Sequence, residues 1–225
     1  MTHGTPSRRV ILLMVPAALS ALATSALAGP PASQPAPATF EPRALFDGES
    51  LKNWKVIDFA GGGEVRVEDG AITMTAGERL TGVVWTGDKL PNQNYEITLL
   101  ARRMDGSDFF CGLTFPVEDS FATLVLGGWG GALCGISSFD DEDASHNETK
   151  SFQRFDQGKW YDVRLRVSPG RIQAWVDDRP IVNVLTKGKK IGLRGEMDPS
   201  KPLGISSFQT QAEIKDIKIK PYPEK

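Results

Sequence analysis

Only two histidines occur in the chain, and His3 precedes the N-terminal apolar run, which leaves His146 as the one imidazole of the body of the protein. Any histidine acting as general base or activating a nucleophile must therefore be His146, and zinc sites that need two histidines are excluded. His146 sits within Asp140-Asp141-Glu142-Asp143-Ala144-Ser145-His146-Asn147-Glu148-Thr149, the densest polar run in the sequence. Long polar loops on rigid scaffolds are where sites tend to lie; the plainer reading is a solvated turn. Hard oxygens at this density suit Ca²⁺, with Asp140, Asp141 and Asp143 as candidate ligands, although their spacing matches no calcium-loop motif. Asn147-Glu148-Thr149 also fits a glycosylation sequon, relevant in a eukaryotic secretory route.

A second cluster is Gly127-Gly128-Trp129-Gly130-Gly131. Glycines on both sides let backbone and ligand approach closely, and the indole offers a flat apolar face suited to stacking on a sugar ring. Trp85 and Trp175 would extend that platform if their strand faces point the same way; otherwise all three indoles are packing residues. Gly61-Gly62-Gly63 has neither a following helix nor a lysine, so it does not read as a phosphate cradle. Cys111 and Cys134 are the only cysteines. In an exported protein an even pair suggests a disulfide; the alternative is two small buried hydrophobes that never touch.

Arg8 and Arg9 precede an apolar run from Val10 to about Ala23, and Ala26-Leu27-Ala28 gives the small-x-small pattern of a signal-peptidase site. Residues 1–28 are thus expected to be a signal peptide, and the protein to be exported, periplasmic or extracellular, without a membrane span once the leader is removed. An uncleaved leader would instead be an anchor. Residues 29–42 are rich in Pro and Ala and read as a semi-rigid tether. Residues 43–225 are enough for one domain and too few for two. Losing Arg8 and Arg9, with no acid lost, takes the net charge from −2 to −4. A mildly acidic domain without a basic stripe does not look like a nucleic-acid binder; a sugar or glycan ligand and a monomer are expected.

The elements that must position these residues are strands. Period-two alternation dominates, as in Tyr95, Ile97, Leu99 and Ala101 against Glu96, Thr98 and Arg102, and in Tyr161 to Val167. Asp69-Gly70 predicts a hairpin, and Pro169-Gly170 and Asp177 to Pro180 turn three consecutive strands into a meander. Further strands are predicted at Lys190 to Arg194, Leu203 to Phe208 and Glu213 to Lys220. A dozen or more strands require two packed antiparallel sheets, an all-β sandwich.

Leu45 to Trp54 (LFDGESLKNW) resembles the opening strand of the 3-keto-disaccharide hydrolase domain family. Gly158-Lys159-Trp160-Tyr161 resembles its G-x-W motif, Arg171 to Val184 its strand-turn-strand, Ile191-Gly192-Leu193-Arg194 its I-G-L strand, and Ile214 to Lys220 its closing strand. The resemblance implies a concanavalin-A/laminin-G-like jelly-roll sandwich that cleaves 3-keto-glycosides. In that chemistry a ketone at C3 acidifies the C2 proton, a base removes it, the glycosidic oxygen leaves from C1, and water then adds. The residue types offered are His146 or a carboxylate of the acidic run as base, Arg194 or a metal as electrophile, and Glu196 or Glu142 as acid. Two departures stand out: Gly106-Ser107-Asp108 where the family has Asn-Ser-Gly, and Arg194-Gly195-Glu196 where it has Gln-x-His. They motivate the alternatives of a non-catalytic lectin-like module gripping glycan through Trp129, or a structural domain of an envelope assembly. Paired-carboxylate hydrolysis of an unoxidised glycoside needs no histidine.

Overall fold

The computed structural model describes residues 1–3 and 40–222. The chain separates into two units, Met1–Pro35 and Ala36–Lys225. Apart from residues 1–3 and 40–42, the expected leader and tether lie outside the described residues. Among the described residues no helix is long and apolar enough to cross a membrane.

Fifteen strands follow Phe40: β1 (Arg43–Ala44), β2 (Trp54–Val56), β3 (Val65–Glu68), β4 (Ala71–Met74), β5 (Leu80–Trp85), β6 (Tyr95–Asp105), β7 (Cys111–Val117), β8 (Ser120–Gly127), β9 (Leu133–Ser137), β10 (Ser151–Phe152), β11 (Tyr161–Ser168), β12 (Arg171–Val176), β13 (Arg179–Leu185), β14 (Gly204–Phe208) and β15 (Gln211–Pro221). They form two antiparallel sheets. The back sheet has eight strands in the order β13-β12-β11-β6-β15-β4-β3, with β1 also on β15; the front sheet has seven, β10-β9-β8-β7-β14-β5-β2. The protein is an all-β sandwich of the kind its alternation predicts.

Between the sheets Tyr95, Ile97, Leu99, Tyr161, Val163 and Leu165 of the back sheet meet Leu113, Phe115, Leu124, Leu126 and Ile136 of the front sheet, all buried. Full burial of each such side chain is worth about 1.5–3 kcal/mol, which secures the register because a one-residue slip would turn the whole set outward. The opening LFDGESLKNW is structural. Asp47 Oδ1 accepts the backbone N–H groups of Glu49 and Ser50, and Trp54 Nε1 donates to Leu45 O at 2.8 Å, closing the loop.

Three expectations are corrected here. Lys190–Arg194 is not a strand: Ile191 makes a single bridge to Phe139 and the chain then leaves the sheet through Gly192. Cys111 and Cys134 are free thiols. Both are cross-strand partners of Leu126, one on each side, so their Cα atoms lie two strand spacings apart, about 9.5 Å, beyond disulfide reach. Burial pushes the Cys111 thiol up to about 12 and that of Cys134 up to about 11, so neither is a thiolate at neutral pH. Trp85 is core, 5% exposed, packed edge-on against Trp54 with ring centroids 5.5 Å apart.

Candidate functional site

The outward face of the front sheet carries small side chains. Register places Ser137, Thr123 and Thr114 in one row across β9, β8 and β7, and Gly135, Val125 and Gly112 in the next. Two segments wall this floor. One is the stretch from Arg194 through a two-turn 3-10 helix, Gly195–Ser200; the other comprises Asp108-Phe109 before β7 and the Gly128–Gly131 turn between β8 and β9. The result is a cleft of about 250 Å³ lined by Arg194, Glu196, Asp108, Trp129, Ser137 and Thr123, with Leu80, Phe109, Val125, Met197 and Phe208 as its apolar surface and Arg79 at its rim.

Trp129 is presented by a strained turn. Its backbone is left-handed (φ 48°, ψ 57°), as are Gly127 (φ 77°), Gly130 (φ 88°) and Gly131 (φ 104°). Left-handed backbone costs a non-glycine residue roughly 1–2 kcal/mol, so something must hold Trp129 there. That holder is Arg103, which sequence reading did not single out. It is 5% exposed, and its Nη2 donates to the carbonyls of Asp108, Gly127 and Gly131 at 3.1, 3.0 and 3.0 Å. A Cβ at Gly127 would lie 2.4 Å from that nitrogen, so the glycine is required for the bracing contact. The indole remains 45% exposed at the cleft edge.

Arg194 and Glu196 sit side by side in the cleft, with Arg194 Nε donating to Glu196 Oε1 at 2.7 Å. Burial favours the protonated form of Glu196, but its own backbone N–H, Arg194 and Arg79 outweigh this and hold the carboxyl below its ordinary range. Glu196 is therefore held as a carboxylate beside the Arg194 guanidinium. Ser137 is 3% exposed, and its Oγ has no hydrogen-bond partner among the described residues, whereas the neighbouring Thr123 hydroxyl is engaged with that of Thr114 at 2.9 Å. A buried hydroxyl in a cleft floor without a partner in the protein is free to bond water or a ligand.

The acidic run is divided. His146 is exposed and outside the cleft lining; its Nδ1 lies 3.0 Å from Asp143 Oδ1 and 2.8 Å from Ser145 Oγ. Asp143 Oδ2 is in turn 3.9 Å from Arg194 Nη1, so His146 reaches the cleft only through Asp143. Asp140 and Asp141 pair instead with Lys189 and Lys190, and among the described residues no group of three His, Cys, Asp or Glu side chains converges to hold a metal. Glu142 is exposed and does not line the cleft. Asn147 is structural: its Nδ2 donates to the carbonyls of Ile136, Glu142 and Asp143, and its Oδ1 accepts from Thr149. A sequon nitrogen so fully engaged is not available for glycosylation. Trp175 lies on the outer face of the back sheet between Arg164 and Arg166, away from the cleft.

The sequence profile of the 3-keto-alpha-glucoside-1,2-lyase-like domain matches residues 41–220. The chain belongs to this family. No curated protein matches the sequence. Among solved structures, the lyase-like domain is similar to a presumptive glycosyl hydrolase from Parabacteroides distasonis, at 14% identity and TM-score 0.51 over 81% of this chain and 94% of that one. It is also similar to the carbohydrate recognition domain of Emp46p, at 16% identity and TM-score 0.52 over 79% of this chain and 94% of that one. A third is the Crh5 transglycosylase in complex with NAG, at 8% identity and TM-score 0.55 over 82% and 86%. At these identities the likeness is one of fold. The lyase-like domain is a carbohydrate-related sandwich.

Proposed function

We propose that this lyase-like domain is an exported enzyme that cleaves 3-keto-glycosides by elimination in the cleft between Trp129 and Glu196. The observation that carries the reading is the ion pair Arg194–Glu196, an ionised carboxylate and a guanidinium held together in a cleft that also presents Trp129 and the unpartnered Ser137 hydroxyl. Glu196 takes the C2 proton, which the neighbouring ketone has acidified, and Arg194 holds the negative charge that develops on the C3 oxygen. The C1–O bond breaks as the C1–C2 double bond forms, and the departing alkoxide takes a proton from water at the open mouth of the cleft. Water then adds across the double bond to give the free keto-sugar. Asp143 fixes the far side of Arg194, and His146 acts through Asp143 as a positioning residue. Export is supported by the leader-like first 28 residues.

A lectin-like reading draws on one observation of its own. Trp129 is braced in place by Arg103 without any contribution from Arg194 or Glu196, so the platform would grip a glycan whether or not chemistry follows.

Offering the purified protein 3-keto-glucosides and their unoxidised parents separates the two. Turnover of the keto form alone, reduced at least 100-fold in Glu196→Gln and in Arg194→Met, is the expected result. Binding that persists in both variants without turnover in the wild type would establish the lectin reading and end the catalytic one.

A further inference from the structure

The cleft is chemically divided along its length. Its floor residues follow the strand order of the front sheet: Ser137 on β9, Thr123 and Val125 on β8, Phe208 on β14 and Leu80 on β5. Ser137 and Leu80 are thus separated by four strand spacings, about 19 Å. The β9 end holds the hydroxyls, and both Arg194 and Trp129 adjoin it: the Gly192 N–H donates to the carbonyl of Ser138, the residue after β9, and the Trp129 turn joins β8 to β9.

At the β5 end the surface is apolar up to the Arg79 guanidinium at its rim. Phe208 stands opposite Leu80 in register. The ring of Phe109 lies beside that of Phe208, centroids 5.9 Å apart and planes 30° from parallel. Gly112 makes room for it, since a Cβ there would lie 2.9 Å from Phe109 Cε2. Met197 adds a thioether from the 3-10 helix. None of these four side chains offers a strong donor or acceptor, and a hydroxyl buried without a partner loses its hydrogen bonds to water with no replacement. A second sugar ring, with three or four hydroxyls, would therefore sit poorly here, whereas a flat apolar ring would pack edge or face against the two phenylalanines.

We infer that the β5 end is an aglycone subsite for an aromatic leaving group, so that the preferred substrates are aryl glycosides rather than disaccharides. The inference rests on the reading of the cleft as a glycoside site. The sugar lies at the hydroxyl end, beside Trp129 and Ser137, and the aryl group extends over Phe109 and Phe208.

The test is calorimetric binding of methyl, phenyl and glucosyl 3-keto-glucosides to the whole protein, repeated in Phe208→Ala and Phe208→Leu. The phenyl compound is expected to bind at least tenfold more tightly than either of the others. Phe208→Ala should bring the phenyl-to-methyl ratio to within about twofold, and Phe208→Leu, which keeps apolar volume while losing the ring, should fall between. A disaccharide bound as tightly as the phenyl compound, or a ratio that Phe208→Ala leaves intact, overturns the aglycone subsite while the glycoside reading stands. Absence of binding by all three would overturn the glycoside reading and the inference together.

Discussion

The outer faces of the two sheets are built on opposite principles. On the back sheet, register aligns Arg166, Glu96 and Lys220 in one row across β11, β6 and β15, and Arg102 with Glu213 in another. Large polar groups there pair with one another: Glu96 accepts from Arg166 at 2.7 Å and Lys220 at 2.9 Å, Trp160 lies between Arg102 and Lys215, and Trp175 between Arg164 and Arg166. The front face has glycines, short hydroxyls, a tryptophan on strained backbone and a serine oxygen without a partner. A face whose groups satisfy one another is finished as structure. A face with strain and unmet hydrogen-bonding capacity is the better candidate for a binding surface.

The largest effect expected from breaking this contrast is on the finished face. Glu96 is 2% exposed; burial raises its carboxyl, but Lys220 and Arg166 outweigh that and hold it below its ordinary value of 4.5. Glu96→Gln should lower stability at pH 7 by roughly 2–3 kcal/mol, somewhat less than a fully buried pair because Lys220 is half exposed. A carboxyl whose folded-state pKa is depressed contributes stability above its unfolded value and loses it as pH falls through the folded one. The gap in Tm between wild type and Glu96→Gln should therefore close as pH is lowered from about 4.5, and a gap constant down to pH 3 would refute the assignment.

The two tryptophans give a smaller and oppositely signed pair. Trp175→Ala removes a half-buried ring from between two arginines and should cost about 1–2 kcal/mol while leaving glycan binding intact. Trp129→Gly releases the left-handed strain of φ 48° and should raise stability by about 0.5–1 kcal/mol while weakening glycan binding at least tenfold. Chemical denaturation and calorimetry on the same samples measure both. If Trp129→Gly destabilised the fold, the indole would be packing and not a platform.

This division explains what was legible in the sequence. Alternation such as Tyr95-Ile97-Leu99-Ala101 reports burial directly, so the sandwich, the Asp69-Gly70 hairpin and the meander could be read from it. Gly-flanked Trp129, and Arg194 with Glu196, were also marked by type and position. The density of charge around His146 was misleading, because a cluster in sequence is not one in space: Asp140 and Asp141 turn to Lys189 and Lys190, residues about 50 positions away. Arg103 and Phe208 carried no local signal. Arg103 sits among the alternating polar and apolar residues of β6 and reaches three carbonyls fixed by the sandwich, and Phe208 faces Phe109 only because β14 inserts between β5 and β7.

The smallest effect tests the contrast within the front face itself. Thr123 and Ser137 are cross-strand neighbours, both nearly buried, and differ in that Thr123 shares its hydroxyl with Thr114. Thr123→Val leaves the Thr114 hydroxyl unpaired and should cost about 1 kcal/mol. Ser137→Ala removes an oxygen that already lacks a partner, so the free protein should lose nothing and gain up to about 0.5 kcal/mol, because no protein hydrogen bond is broken. Ligand binding should separate the two in the reverse order, with Ser137→Ala weakening a keto-glucoside severalfold and Thr123→Val changing it less. Equal loss of stability in both variants would mean that Ser137 bonds within the free protein, and the front face would then be as complete as the back.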